Sequence, residues 1–447
     1  MNKKINKQAD TIAACATAAG SSGLALIRVS GPNTAMIAKK IIGPVPKPMR
    51  AKYSNFLSPD RSIIDSGIAL YFKGPRSYTG ENTLELTCHG GSAVVDQILQ
   101  ALIEYGARLA GPGEFTKRAF LNDKMDLTQA EAVVDLIESS SAATARAAKR
   151  SLDGVFSTKI LNLSTLLSEI RVSVEASLDF PEEDIKETGQ QDGLTFKMNE
   201  TKDIFSTLLR QTRLACRVRE GVVVVLTGKP NVGKSTLMNT LCGHERAIVS
   251  ESPGTTRDTL DEDILVDGYK VRLIDTAGIR EPENTIEKEG VNRAIKAAQN
   301  ADIVINVVDG STSQTTKKKN KTNDIVALNK NDLTENAPGR VENEANMFRL
   351  SALTGEGVDE LLNHISNYFN QELLAEETLT ARRRHLSALK EANKHFLEAE
   401  VKISAGRTTD LVAEDLLQAQ NSLSEITGEF TSEDLLEKIF NEFCIGK

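Results

Sequence analysis

Tryptophan is absent from the 447-residue chain, and only 4% of its residues are aromatic. A surface that stacks successive single-stranded bases on rings is therefore not expected. Cysteine is scarce and odd in number: Cys15, Cys88, Cys216, Cys242 and Cys444, with no Cys-x-x-Cys pair. That argues against a disulfide framework or a zinc site and fits a reducing compartment. No apolar run approaches the ~18 residues a membrane helix needs. Lys3, Lys4 and Lys7 ahead of residues 11–19 loosely resemble a leader. The apolar part is Ala-rich, broken by Thr, and runs into the strand-like Leu24–Val29, so we read it as the first strand region of a cytoplasmic protein. Positive charge is also in deficit, with 54 Lys and Arg against 62 Asp and Glu, a net −8. That argues against a chain that coats nucleic acid or anionic lipid indiscriminately, but not against a local basic patch.

What is present is ordinary for a globular protein, 40% hydrophobic and 26% charged. The length predicts about three domains at ~150 residues each. Residues 1–122 mix β-branched runs (Leu24–Val29, Ile63–Tyr71, Thr83–Thr87) with Gly/Pro turns, an α+β pattern. Residues 123–218 carry a helical period, seen in Ala132, Leu136, Ile137, then Leu163, Leu166, Leu167 and Ile170, punctuated by Gly154 and Phe180–Pro181. Residues 219–372 begin with the continuous apolar run Val222–Leu226 and repeat the strand texture at Val271–Ile274, Ile303–Val308 and Ile325–Leu328. That alternation predicts an α/β sheet. Helical texture returns over 373–447. The chain thus reads as a multidomain α/β protein whose all-α domain is discontinuous, with the sheet domain inserted in it. The Lys-rich segment Ser311–Lys321 reads as a solvated loop.

The sequence Gly228-Lys-Pro-Asn-Val-Gly-Lys-Ser235 matches the phosphate-loop pattern and sits between a buried strand and a helical segment. Glycines let backbone N–H groups close round a phosphate at a helix N-terminus. Asn231, Val232, Gly233, Lys234, Ser235 and Thr236 are the expected nucleotide contacts, with Lys234 as a point charge and Ser235 as a Mg²⁺ ligand. Asp275-Thr276-Ala277-Gly278 follows a strand and would bring a carboxylate to the metal's outer shell and a glycine amide to the γ-phosphate. Asn329-Lys330-Asn-Asp332 follows another; the Asp332 carboxylate can accept from N1 and the 2-amino group of guanine, which adenine does not offer. Ser351-Ala352-Leu353 would complete the base pocket, and Thr255-Thr256 forms the switch candidate, with Thr256 a second Mg²⁺ ligand. Order and spacing resemble the GTPase superfamily.

After Asp-Thr-Ala-Gly, small GTPases place a Gln that orients water. Here Ile279 stands there and cannot polarise water. Two residues offer alternatives. Asn231 could help hold a monovalent cation where an arginine finger would put charge. Glu287 could orient water, although by spacing alone a solvated switch-helix acid is the stronger reading.

Three further segments sharpen the picture: Gly80-Glu-Asn-Thr-Leu-Glu-Leu-Thr-Cys-His-Gly-Gly91, Pro112-Gly-Glu-Phe-Thr-Lys-Arg-Ala-Phe-Leu-Asn122 and Phe443-Cys-Ile-Gly-Lys447. Together with Gly254-Thr-Thr-Arg-Asp258 and Asp275-Thr-Ala-Gly-Ile279, the chain resembles the MnmE (TrmE) family of tRNA-modification GTPases along essentially its whole length. The resemblance implies an N-terminal α+β folate-binding and dimerising domain, a two-part helical domain and an inserted Ras-like P-loop G domain. It implies a K⁺-activated GTPase that works as a homodimer with the flavoprotein MnmG (GidA) in a heterotetramer. The implied product is an aminomethyl or carboxymethylaminomethyl group on C5 of the wobble uridine of certain tRNAs. The carbon would come from a tetrahydrofolate, 5-formyl or methylene, and FAD would enter only through the partner. By the same resemblance Asn231, Ser250, Ser252 and Thr255 would hold K⁺, with Ser250 and Thr255 also at the nucleotide. Glu287 falls at the water-orienting position, and Arg28, Glu85, Lys124 and Lys447 would contact folate. No membrane partner is implied.

One departure is the turn Gly20-Ser-Ser-Gly23, which would be strained if Ser21 or Ser22 needed φ > 0. The terminal Cys-Ile-Gly-Lys fits a prenylation box poorly; Cys444 is read as acting near the folate site, with a buried structural thiol as the alternative. Arg382-Arg-Arg384 and Arg146, Lys149 and Arg150 are helix-surface cations whose relation to RNA the sequence leaves open. Two other readings compete: an RNA-binding switch of ribosome assembly without modifying activity, and a folate enzyme with a regulatory G domain. The first calls for a KH-like domain, and the Gly-x-x-Gly string at 20–23 lacks the flanking pattern.

Overall fold

A computed structural model describes residues 10–18, 20–179, 188–244, 247–249, 261–266, 269–275, 301–312, 324–342, 344, 346–373, 379–405, 410–429 and 432–446. Its strands are β1 Ile12–Cys15, β2 Ser22–Ser30, β3 Lys52–Leu57, β4 Ile63–Phe72, β5 Thr83–Gly90, β6 Arg108–Leu109, β7 Val222–Thr227, β8 Ala247–Val249, β9 Asp261–Val266, β10 Tyr269–Asp275, β11 Ile303–Asp309, β12 Asp324–Asn329, β13 Gly339–Arg340 and β14 Met347–Arg349. The helices are α1 Thr34–Ile42, α2 Ser92–Glu104, α3 Glu114–Leu121, α4 Leu127–Ile137, α5 Ala142–Leu152, α6 Val155–Asp179, α7 Thr188–Glu220, α8 Lys234–Gly243, α9 Val358–Leu373, α10 Arg383–Ser404, α11 Asp410–Thr427 and α12 Glu433–Asn441. The chain divides into two units, Met1–Val134 with Leu152–Leu178 and Val401–Lys447, and Asp135–Ser151 with Asp179–Glu400.

In the first unit, alternation along β2 buries Ala25, Ile27 and Val29 on one side and leaves Arg28 part-exposed on the other. The sheet runs β3-β4-β5-β2-β1-β6, antiparallel except for β1 with β6. Ile37 and Ile41 of α1 and Ile98 and Leu102 of α2 pack on Ile27, Leu84 and Leu86, all fully buried. Burying each such aliphatic side chain contributes about 1.5–3 kcal/mol. A second cluster joins Phe120, Leu127 and Ala130 to Leu436, Phe440 and Phe443, so the C-terminal helix α12 closes against α3 and α4. The chain end then returns to the sheet: Ile445 bridges Pro112, and Gly446, at φ 96°, lies so close to β1 that a Cβ would stand 2.2 Å from the Cys15 carbonyl oxygen.

In the second unit, the sheet order is β13-β14-β12-β11-β7-β10-β9-β8. Strands β10, β7, β11, β12 and β14 are parallel, and antiparallel strands close both edges. The run Val222–Leu226 is the central strand expected of it; Val224, Val225 and Leu226 are fully buried. Leu237 and Leu241 of α8 and Leu361 and Leu362 of α9 complete this core.

Six of these strands, β3, β6, β8, β9, β13 and β14, escaped sequence reasoning, and β3 and β9 are the longest of them. Segment 52–57 is half polar, and Asp261–Val266 opens with three acids. Pairing supplies what propensity does not: Asp263 of β9 stands opposite Arg272 of β10 and takes ion pairs from it at 3.1 Å and from Lys270 at 2.9 Å. The Gly20–Gly23 turn is unstrained, because the positive φ (126°) falls on Gly20 and on neither serine.

Candidate functional site

The phosphate loop leaves the carboxyl end of β7 and feeds α8, with Gly228 at φ 144° and Gly233 at 95°. Gly233 has no substitute, since a Cβ there would stand 2.2 Å from Asn329 Nδ2. Lys234 is 5% exposed, and its ammonium donates to the carbonyls of Gly228 and Lys229, both at 2.9 Å. Burial pushes its pKa below the ordinary value, and the charge of Asp275 opposes that shift. Ser235 Oγ donates to Asp275 Oδ2 at 2.7 Å, which joins the first helical turn to the end of β10. An alcohol oxygen and a carboxylate thus meet beside the loop, a hard donor set that suits Mg²⁺. Val232 is buried, while Asn231, Ser235 and Thr236 are exposed. Asn231 holds a left-handed backbone, φ 63°, uncommon for a residue other than glycine.

Asn329 ties three loops together. Its Nδ2 donates to the Val232 carbonyl at 2.8 Å, and its Oδ1 accepts from the Ala352 N–H at 2.8 Å. The side chain therefore clamps the phosphate loop to the loop after β14. Ser351 Oγ donates to Asp332 Oδ1 at 2.5 Å and accepts from the Thr354 N–H, which orients the Asp332 carboxylate. Lys330, also left-handed at φ 67°, pairs with Asp309 Oδ2 at 2.6 Å. Lys330 and the Ser311 hydroxyl hold the Asp309 carboxyl down at about 2. Leu353 is 79% exposed beside this pocket, an apolar wall open to solvent. Asp309 was not foreseen; its only sequence signal is its place at the end of a buried strand. Ser250, Ser252, Thr255, Thr256, Thr276, Ala277, Gly278, Ile279, Glu287 and Lys447 lie outside the described residues.

The first unit holds a separate cleft of about 400 Å³. Glu85 and Lys124 line it, as do Met49, Phe72, Arg76 and Tyr78. Arg28 is joined to it through Glu85: the two are partners in the β2–β5 register and ion-pair at 2.8 Å. The Arg28 guanidinium lies 5.0 Å from the Tyr78 ring centroid and 5.7 Å from that of Phe115, which fixes its plane. Lys124 Nζ donates to the Pro75 carbonyl at 3.1 Å. Arg76 and Tyr78 sit in a Gly/Pro/Ser-rich loop and gave no sequence signal. The arrangement offers a carboxylate, two cations and apolar walls, a set that fits a flat heterocycle with N–H donors and an anionic tail. Cys444 is exposed, so it is not a buried structural thiol. Burial pushes the Cys88, Cys216 and Cys242 thiols up to about 11.

Comparison with known proteins bears on both units. Residues 11–124 match the family model described as the GTP-binding protein TrmE N-terminus, and residues 127–444 match the MnmE helical domain. The tRNA modification GTPase MnmE of Coxiella burnetii (strain Dugway 5J108-111) is 46% identical over 98% of this chain and 99% of its own length. That of Pseudomonas fluorescens (strain Pf0-1) is 45% identical over 98% and 99%. Among solved structures, the G domain of the T. maritima FeoB iron transporter covers 33% of this chain and 98% of its own, with 26% identity and a TM-score of 0.24.

Proposed function

The chain belongs to the MnmE (TrmE) family of tRNA modification GTPases, and from that premise we propose that it hydrolyses GTP to GDP and phosphate to drive modification of the wobble uridine of tRNA. The observation that carries the reading is the Asn329 clamp with Asp332 oriented by Ser351. A carboxylate held in that place accepts from the N1 and 2-amino groups of guanine and finds no such donors on adenine. The loop amides and Lys234 bind the phosphates. Ser235 and Thr256 would hold Mg²⁺, with Asp275 accepting a hydrogen bond at its outer shell. When bound, the ion neutralises charge on the β- and γ-phosphates.

Hydrolysis needs positive charge beside the β–γ bridge, and the sequence identifies no arginine finger to supply it. Asn231, with Ser250, Ser252 and Thr255, is assigned to a K⁺ ion, which when bound supplies positive charge beside the β–γ bridge. Glu287 is assigned to orient the attacking water. The first-unit cleft is assigned to a 5-formyl- or methylene-tetrahydrofolate. Glu85 would take the pterin N–H edge, while Lys124, Lys447 and Arg76 would take the carboxylate tail, and Arg28 would orient Glu85. Cys444 is assigned to the same chemistry. The protein would act as a homodimer with MnmG (GidA), and FAD would enter only through that partner. We retain the division into residues 1–122, 123–218, 219–372 and 373–447. Among the described residues no helix is long and apolar enough to cross a membrane.

Two measurements test the reading. GTP turnover should be much faster in K⁺ than in Na⁺, and equal rates would remove the cation assignment. Loss of the protein should change the wobble-uridine nucleosides of tRNA, and unaltered nucleosides would reject the modifying role.

A further inference from the structure

We propose that one flank of the α7–α10 helix pair is a docking strip for the phosphodiester backbone of tRNA. The inference rests on the tRNA reading above and adds where the RNA is held. Two ion pairs fix the geometry. Lys202 Nζ meets Glu400 Oε1 at 2.8 Å at one end, and Arg383 Nη2 meets Glu220 Oε2 at 2.9 Å at the other. The Phe205 and Phe396 ring centroids lie 5.2 Å apart between them, so the helices run antiparallel. Arg213 follows Lys202 by eleven residues and precedes Glu220 by seven. Both spacings are close to whole helical turns, so Arg213 shares their flank. Lys390 follows Arg383 by seven and shares its flank in the same way. Independently, Arg383 and Lys390 both act electrostatically on Cys216 of α7, which places Lys390 toward that helix. Arg210 adds a third cation one turn before Arg213.

Arg210, Arg213 and Lys390 are all exposed. Among the described residues, the carboxylates that reach this flank are already engaged: Glu220 by Arg383, Glu400 by Lys202, and Asp302 by Arg217 at 3.2 Å. Asp203, two turns before Arg210, closes the strip at its far end. Three cations therefore stand in a row with their charge uncompensated, on a chain whose net charge is −8. A polyanion is repelled by such a chain at long range and held only where cations are local. Guanidinium groups match phosphate oxygens well. Phe205 and Phe396 are fully buried and the exposed Phe196 lies about four helical turns ahead of Arg210, so no ring stands among the three cations and the strip meets the backbone. Contacts of that kind position an RNA without reading its sequence.

The test uses the full-length protein and an unmodified tRNA transcript, with binding measured by fluorescence anisotropy from 50 to 200 mM KCl. The triple variant Arg210→Gln, Arg213→Gln, Lys390→Gln should bind at least about tenfold more weakly and flatten the slope of log affinity against log salt by about 2, given 0.7–0.9 per phosphate contact. The variant Arg210→Lys, Arg213→Lys, Lys390→Arg should keep most of both. GTP turnover without RNA should stay within about twofold in each, which shows the fold is intact. Unchanged affinity and slope in the Gln variant would overturn the proposal. So would a wild-type protein that ignores tRNA, or one whose strip captures phosphatidylserine vesicles instead. The modifying role is judged separately: unaltered wobble nucleosides with strip-dependent tRNA binding would sink that role and leave the strip standing.

Discussion

Replacing Asn329 by Ala probes whether the guanine site is one rigid unit. The side chain is 3% exposed, and its amide makes one bond to the phosphate loop and one to the loop after β14, each 2.8 Å. Truncation strands the Val232 carbonyl and the Ala352 N–H, in residues that are themselves buried. Leaving a buried backbone group unsatisfied costs about 1–3 kcal/mol, so the pair costs about 2–6 kcal/mol. A domain with about 5–15 kcal/mol in hand stays folded across most of that range. The loss should fall on the nucleotide, because the clamp joins the loop that holds phosphate to the one that shapes the base pocket. If 2–4 kcal/mol of it appears in binding, affinity drops by about 30- to 1,000-fold. Asn329→Asp sharpens the test: it keeps an acceptor for the Ala352 N–H but sets a carboxylate oxygen against the Val232 carbonyl, so it should bind no more tightly than the Ala variant. The assay is titration with a fluorescent guanine nucleotide beside thermal melting with and without GDP. An Ala variant that binds GTP within threefold of wild type would refute the clamp.

Asp332→Asn keeps an oxygen for Ser351 Oγ but removes the carboxylate acceptor for guanine. GTP affinity should fall by about tenfold or more and xanthosine triphosphate should gain, read by competition binding; unaltered selectivity would count against the base pocket. Gly446→Ala places a Cβ 2.2 Å from the Cys15 carbonyl oxygen at φ 96°. The C-terminal tail should detach at a cost of about 1–3 kcal/mol, visible as faster carboxypeptidase trimming. Glu114 gives a pH signature. Burial raises its carboxyl pKa, but hydrogen bonds from Arg108, the Gly111 N–H and Arg118 outweigh burial and bring it down to about 2 from the ordinary 4.5. A depressed folded-state pKa contributes stability above pH 4.5 that is lost as pH falls toward 2, so Glu114→Gln should flatten the acid limb of a stability-against-pH curve in that window.

How far the sequence carried the reading depended on whether a feature was local. The buried run Val222–Leu226 and the glycines at 228 and 233 announce a strand and a phosphate loop because their cause lies within a few residues. Asp332 was legible as a guanine acceptor for the same reason. Its orientation by Ser351 was not, since the partners are nineteen residues apart in sequence. Arg118 shows the limit most clearly. It stands in a motif that was noticed, yet its place at 2% exposure depends on Asp10, Glu81 and Glu114. Two of these three acids come from distant segments, and no local pattern encodes a buried cation whose partners are supplied by the tertiary fold. The β9 strand was missed on the same ground, because its acids look like loop until β10 supplies their cations.

Backbone strain gives an independent indication of where function lies. Among the described residues, five that are not glycine have positive φ: Met49, Arg61, Asp123, Asn231 and Lys330. Two belong to the nucleotide loops, and Met49 lines the first-unit cleft. A left-handed residue other than glycine costs about 1–2 kcal/mol and persists where its surroundings over-determine it. For Lys330 the surroundings are visible in the Asp309 pair and in the Leu333 N–H bonded to its carbonyl at 3.1 Å. For Asn231 the side chain is exposed, so packing does not explain why a glycine does not stand there. Asn231→Gly separates the two roles of the residue. It relieves the backbone, so the melting temperature should hold or rise. It also removes the amide oxygen assigned to K⁺, so K⁺ stimulation of GTP turnover should fall toward the Na⁺ rate. Wild-type stimulation would show that the amide does not hold the ion. A melting temperature lowered by several degrees would show that the strain argument itself is wrong.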